Sequence, residues 1–178
     1  MLSLMVILAL TLHTGLCELD MQHPNMPCTP AKNVNAYNSF LKKHIRDDLP
    51  TDLKKDNWKK FINRIDTWDR PVQSFFPLSL KNNLTNVCSS GGKMYQGNLC
   101  ISKTPFSFIT VKIDCATKTI KRVERRENYV ILACDRFGNK CLPDHFEANT
   151  KNIQPNTKKP NCNKSWLVSV YEEAFAWL

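Results

Sequence analysis

Two histidines, far apart in the chain, have the side chains best suited to proton transfer near neutral pH. His44 lies in a stretch with helical spacing, and His145 lies in a short segment late in the chain. An unperturbed imidazole has a pKa of about 6.5, so its acid and base forms coexist near neutrality. The pair could therefore place a base and an acid on opposite sides of a phosphodiester. Ordinary packing, of His44 beside Phe40 and Ile45 and of His145 in a strand, is the alternative.

The start of the chain is typical of a secretion signal. Residues 2–16 are almost wholly apolar but too few to favour a membrane span. Gly15 and Cys17 are small residues that precede a predicted cut near Glu18. We therefore expect a signal peptide at 1–17 and a secreted, extracellular mature protein.

Cysteine usage agrees with an oxidising compartment. The chain has 8 Cys, of which Cys17 falls in the predicted leader, so the mature chain keeps an odd number. Disulfides are the favoured interpretation, with at least one free thiol or intermolecular bridge. No CxxC pair occurs and the histidine spacing does not fit a zinc site, so we expect no metal and no cofactor.

The charge of the chain favours polyanionic partners. The formal net charge is +9, and the predicted leader has no charged side chain. RNA, DNA, heparin-like glycans and anionic membranes all fit such an excess, whereas a basic surface could also serve only solubility. No stable protein partner is predicted. The basic residues form two clusters: Lys54, Lys55, Lys59 and Lys60, then Lys118, Lys121, Arg122, Arg125 and Arg126.

Hydrophobic spacing predicts helices first and strands after. Three-four spacing favours helices over 35–46, 54–68 and 79–88, the last with Ser79 as its N-cap. Strands are predicted over three later segments, and this order describes an α+β domain. The predicted strands are 107–115, with period-two alternation, 129–134, a continuous apolar run, and 142–146.

Four segments together resemble one family. Phe-Leu-Lys-Lys-His at 40–44 is similar to the first-helix segment of the pancreatic-type (ribonuclease A) superfamily of secreted ribonucleases, which includes the angiogenins. Leu-Pro-Asp-His-Phe at 142–146 is similar to its terminal strand. Val-Cys-Ser-Ser-Gly-Gly at 87–92 and Ala-Cys-Asp-Arg at 133–136 resemble fish members. The resemblance implies a ribonuclease A-like fold, with three N-terminal helices on a curved antiparallel sheet stapled by disulfides.

The extent of the resemblance suggests the division of the chain. It covers 34–148, which would be the ribonuclease A-like domain. The flanking parts would be an N-terminal extension at 18–33 and a C-terminal extension at 149–178. The apolar part of the latter, 166–178, could be a docking helix, a lid on the active site or a membrane-contact segment, and the sequons at Asn83 and Asn163 predict N-glycosylation.

The resemblance also implies one disulfide and leaves the others open. Cys88 and Cys134 correspond to a family disulfide between the third helix and the sheet. Cys100 and Cys115 match two more family cysteines whose partner positions hold other residues here. Three cysteines without a family counterpart could pair with them: Cys28, Cys141 and Cys162.

The resemblance implies a reaction and the residues that perform it. His44 would be the base that activates the ribose 2′-hydroxyl, and His145 the acid that protonates the leaving 5′ oxygen. Arg70 would replace the family's catalytic lysine, because the signature Cys-Lys-x-x-Asn-Thr-Phe is Asp-Arg-Pro-Val-Gln-Ser-Phe at 69–75. We therefore predict an RNA endonuclease that cleaves 3′ of pyrimidines through a 2′,3′-cyclic phosphate, with activity lowered by the broader, planar guanidinium.

Four further residues would bind substrate by the same resemblance. Ser74 keeps the hydroxyl that reads a pyrimidine base, and Lys43 adds charge beside the phosphate. Phe146 would pack beside the base, and Glu147 would orient His145 with one methylene more than the family's aspartate. Asp144 could raise the pKa of His145 if its carboxylate were close.

A non-enzymatic function is the competing prediction. The +9 charge, the changed signature block and the altered cysteines also fit a cationic protein of weak or no activity on a ribonuclease scaffold. Such a protein would act in host defence or in angiogenin-like cell binding.

Overall fold

The computed structural model describes residues 26–163, which confirm the α+β class with three α-helices, nine strands and three disulfides. The predicted signal peptide at 1–17 and the apolar segment 166–178 lie outside the described residues. Within 26–163, no helix combines the length and apolarity needed to cross a membrane.

The helices are shorter than predicted at their ends. Helix α1 spans Ala36–His44, α2 spans Lys55–Ile65 and α3 spans Lys81–Val87. Helix α1 ends at His44 because the next two residues are extended and pair with a later strand. The predicted N-cap role of Ser79 is wrong, since Ser79 lies inside a 3-10 helix, Leu78–Leu80, that leads into α3.

The strands form two sheets. The four-stranded sheet has the order β2-β3-β6-β7, and the five-stranded sheet has the order β1-β8-β5-β4 with β9 paired to β8. All neighbours are antiparallel except two parallel two-residue pairs, β1 with β8 and β2 with β3. The bounds are β1 Thr29–Pro30, β2 Ile45–Arg46, β3 Val72–Pro77, β4 Gly92–Met94, β5 Leu99–Ser102, β6 Phe106–Asp114, β7 Thr119–Asn128, β8 Ile131–Phe137 and β9 Lys140–Glu147.

Strand β3 divides two hydrophobic cores between its faces. Phe75 faces the core that α2 completes with Trp58 and Phe61, whereas Phe76 faces the core shared by α1, α3 and the five-stranded sheet. Successive side chains of a strand point to opposite faces, so this alternation is expected. Both phenylalanines are fully buried, and truncation of either to alanine should cost about 3–5 kcal/mol of stability. Strand β3 is therefore held rigidly on both sides.

Of the three disulfides, one lies within the predicted domain and two tie the flanking segments to it. Cys88–Cys134 joins the C-cap of α3 to β8, and Cys28–Cys141 joins the segment before β1 to β9. Cys100–Cys162 joins β5 to the segment after β9. Residues on both sides of the predicted 34–148 unit are thus part of the packed structure. Cys115, in the turn between β6 and β7, is exposed and has no disulfide partner within 26–163.

Candidate active site

His44 is fixed by a backbone carbonyl of the neighbouring strand. Its Nδ1 lies 2.8 Å from the Ser74 carbonyl oxygen, and its ring packs against Phe40 and Phe146 at centroid distances of 5.3 and 5.5 Å. A carbonyl oxygen only accepts hydrogen bonds, so Nδ1 carries the proton and donates. In the neutral ring Nε2 is then left without a hydrogen and can act as a base.

The surroundings of His44 keep it neutral. The pKa of His44 is lowered to about 4, mainly by desolvation and also by the positive charges of Arg70, His145 and Lys43, against the raising effect of the hydrogen bond to the Ser74 carbonyl. Arg70, His145 and Lys43 affect His44 because the packing of α1, β3 and β9 brings these residues close to it. At neutral pH the imidazole of His44 is therefore in its base form.

Arg70, just before β3, is held by Gln73. The Arg70 guanidinium Nη2 donates to Oε1 of Gln73 at 2.9 Å. The Gln73 amide nitrogen in turn donates to the carbonyl oxygens of Thr67, at 2.7 Å, and Arg70, at 3.1 Å. With Gln73 only 1% exposed, its amide has little freedom. Burial lowers the pKa of Arg70, but a guanidinium stays charged in proteins.

His145 lies on β9 with its side chain largely open to solvent. Its Nε2 is 3.5 Å from Oε1 of Glu147, two residues along on the same face of the strand. This distance is long for a hydrogen bond, so the contact is an ion pair when the ring is protonated. The extra methylene of Glu147 therefore still lets the carboxylate approach Nε2, and Nδ1 of His145 is left for another partner.

Phe146 lies between the His44 ring and the hydrophobic core that contains Phe76 and Phe108. Besides its contact with His44, its ring packs against Phe76 and Phe108 at centroid distances of 5.6 and 5.9 Å. It is only half-buried, so part of the ring remains at the surface beside His44. Strand β9 is thereby aligned with α1 at the site.

Ser74 contributes two groups to this region. Its carbonyl holds His44, and its hydroxyl lies 3.3 Å from the hydroxyl of Thr110, its partner on β6. The two residues are 6% and 7% exposed. Either hydroxyl can donate to the other, so Ser74 can present a donor or an acceptor to a ligand.

The two predicted basic clusters differ in how many of their side chains form ion pairs with Asp or Glu. Lys43, beside His44, and the four lysines near α2 are exposed and make no ion pair among residues 26–163. On β7, by contrast, Glu124 pairs with Arg122 at 2.7 Å and with Arg126. Lys121 pairs with Asp114 at 3.1 Å. The α2 surface is therefore the less neutralised of the two.

Two residues of the site were given no role by the sequence, Gln73 and Thr110. Gln73 lies in the signature block, so a buried amide next to Arg70 could have been suspected. Thr110 gives no sequence signal, because only strand register places it opposite Ser74. Within 26–163 no three His, Cys, Asp or Glu side chains are close enough to hold a metal ion.

The described part of the chain has an α+β fold that can be compared with solved structures. Among solved structures, the chain is similar to green turtle egg white ribonuclease, with a TM-score of 0.51 and 19% sequence identity. The match covers 64% of this chain and 97% of the turtle protein. No protein-family model and no curated protein matches the chain. At this identity the likeness concerns the fold.

Proposed function

We propose that the protein is a secreted endoribonuclease that cleaves RNA 3′ of pyrimidines without a metal. The observation that carries this proposal is the bond from His44 Nδ1 to the Ser74 carbonyl, which leaves Nε2 as a base beside Arg70. The ribonuclease-like fold supports it. The apolar leader and three disulfides support secretion.

The reaction assigns one task to each of three side chains. Nε2 of His44 takes the proton of the ribose 2′-hydroxyl, and the oxygen attacks the adjacent phosphorus. Nδ1 of protonated His145, whose Nε2 is directed at Glu147, gives its proton to the departing 5′ oxygen. The products are a 2′,3′-cyclic phosphate and a free 5′-hydroxyl, and each histidine ends in the other's starting state of protonation.

Arg70 stabilises the charge that develops on the phosphoryl oxygens. Fixed cationic donors are most effective where charge increases in the transition state. The guanidinium already donates to Gln73 and is half-buried, so its position is set by the protein rather than by the substrate. We expect a lower rate than with the family's lysine, because the broader, planar guanidinium places its charge differently around the phosphoryl oxygens.

Ser74 selects the base. Its hydroxyl can donate to N3 of cytosine or accept from N3–H of uracil, and Phe146 offers an aromatic edge beside His44. Lys43, exposed next to His44, supplies charge for a neighbouring phosphate.

Cleavage of yeast RNA and of a pyrimidine-purine dinucleotide tests the proposal. The wild type should cleave both, and His145→Ala should lose about 10²–10⁴-fold in rate. Lys140→Ala, an exposed change at the start of the same strand, is the matched control and should keep the wild-type dinucleotide rate. Equal slow cleavage by wild type and His145→Ala would contradict the proposal and favour a non-enzymatic cationic protein.

A further inference from the structure

Two aspartates lie together on neighbouring strands directly beside His145. Asp135 is on β8 and Asp144 on β9. The register pairs Ala133 with His145 and Cys134 with Pro143, so Asp144 is the extra residue of a β-bulge. Asp135 is registered with Leu142, and Asp144, two residues further along β9, lies on the same face as Leu142. The two carboxyl groups are therefore diagonal cross-strand neighbours that interact.

The pair has no lysine or arginine partner among the described residues. Among residues 26–163, neither carboxylate forms an ion pair with lysine or arginine. The groups that face the pair are the Asn98 amide, which donates to Asp135 at 3.5 Å, and the His145 ring, which acts on Asp144. Oδ1 of Asp144 is buried and has no donor within the described chain. Two ionised carboxylates are both acceptors, so only a proton on one of them can join them.

We propose that Asp135 and Asp144 share one proton in mildly acidic solution and form a cross-strand carboxyl pair that closes the bulge carrying His145, and that loss of this proton loosens the bulge. The bearing of this pair on catalysis, as a positioning device for the acid histidine, rests on the proposed ribonuclease function. The existence of the carboxyl pair does not depend on that function.

The electrostatics of Asp144 agree with a shared proton. Burial, followed by the charge of Asp135 and a hydrogen bond with it, raises the pKa of Asp144 to about 6. Two carboxyl groups at one site hold a proton more tightly than either alone. Once both are ionised, like charges oppose each other across the β8–β9 ladder, which destabilises strand pairing. His145, the next residue, is then less firmly positioned.

Stability against pH tests the shared proton. The protonated Asp144 favours the fold below the ordinary aspartate pKa, and that contribution is lost as the pH rises through about 6. Asp144→Asn keeps an N–H donor towards Asp135 at every pH. At pH 7.5 its folding equilibrium constant, from urea unfolding of the full chain, should exceed that of wild type about tenfold, and the advantage should vanish at pH 4.5. Asp47→Asn, an exposed control, should show no such pH dependence. A pH-independent difference for Asp144→Asn would overturn the shared proton.

Hydrogen exchange tests the loosening of the bulge. Protection factors of the β9 amides on either side of Asp144, corrected for intrinsic exchange, should fall about tenfold between pH 5 and 7 in wild type. They should stay constant in Asp144→Asn. Equal pH dependence in both proteins would overturn the positioning of His145 even if the stability result held. Neither measurement uses RNA, so failure of the ribonuclease proposal would be seen separately, as absence of cleavage by wild type.

Discussion

At the scale of single residues, partial burial and one hydrogen bond hold His44 in the neutral form that the proposed base role needs. Desolvation and three nearby positive charges keep it neutral, and the Ser74 carbonyl fixes which nitrogen holds the proton. A histidine on the surface would spend half its time protonated near pH 6.5. The site thus separates the two imidazoles by environment, with His44 partly buried and His145 largely open to solvent.

The dependence of kcat/KM on pH should reflect the lowered pKa of His44. Because the pKa of His44 is lowered to about 4, the base form persists well below pH 6. We expect kcat/KM on a dinucleotide to fall on the acid side only as the pH approaches 4. A fall with a midpoint near 6.5 would show that His44 is not desolvated in solution.

Gln73 is expected to act through Arg70. Gln73→Leu removes the acceptor that holds Nη2 while keeping an apolar group of similar size. The rate constant kcat should fall about 10-fold to 100-fold with little change in KM, because small misplacements of a charged group weaken transition-state stabilisation. Gln73→Glu, which keeps the acceptor oxygen, should retain more activity than Gln73→Leu. Equal losses in kcat and in thermal stability for the two variants would indicate a structural role only.

Thr110 is expected to influence base preference. To accept from uracil, Ser74 must point its own hydrogen away from the base, and the Thr110 hydroxyl can receive it. Thr110→Val removes that acceptor and leaves a buried hydrogen unpaired, which costs more than an unpaired lone pair. The ratio of uridine to cytidine dinucleotide cleavage should therefore fall several-fold, whereas Thr110→Ser should preserve it. An unchanged ratio in Thr110→Val would remove Thr110 from the base site.

At the scale of elements, α1, β3 and β9 position the site, and disulfides support them. Cys88–Cys134 joins α3 to β8, the strand on which β9 is aligned. Removing both cysteines as Cys88→Ala/Cys134→Ala should lower the free energy of unfolding by about 2–4 kcal/mol, measured by urea unfolding.

Cys115→Ser should change the free energy of unfolding by less than about 0.5 kcal/mol, since its thiol is exposed and free within 26–163. A comparable loss in Cys115→Ser would show that this cysteine has a bonded partner in solution.

The sequence predicts the elements better than their ends or their long-range contacts. Helix α2 follows from Trp58, Phe61 and Ile62, whose three-four spacing is a local property. The end of α1 does not, because Ile45 and Arg46 leave the helix to pair with β3. The short strands β4 and β5 carry too few residues to show a period.

The candidate site, too, was predicted from local sequence only in part. Residue types and flanking sequence single out His44 and His145, but the His44 contact with the Ser74 carbonyl depends on tertiary packing between α1 and β3. The pairing of Cys28 with Cys141 spans 113 residues and that of Cys100 with Cys162 spans 62, beyond any local rule. The Asp135–Asp144 pair follows from the register of β8 with β9, which no sequence pattern marks.

At the scale of the whole molecule, a basic, disulfide-linked α+β chain brings a neutral imidazole, a guanidinium and a second imidazole to one place. The formal charge of +9 favours approach of a polyanion from any direction. The proposed ribonuclease function makes RNA the polyanion to test first.

The most direct test follows uridylyl-adenosine by phosphorus NMR in the presence of EDTA. For the wild type we predict accumulation of uridine 2′,3′-cyclic phosphate. For His44→Ala we predict a rate about 10²–10⁴-fold lower. Equal rates for the two proteins, or cleavage without the cyclic phosphate, would contradict the account.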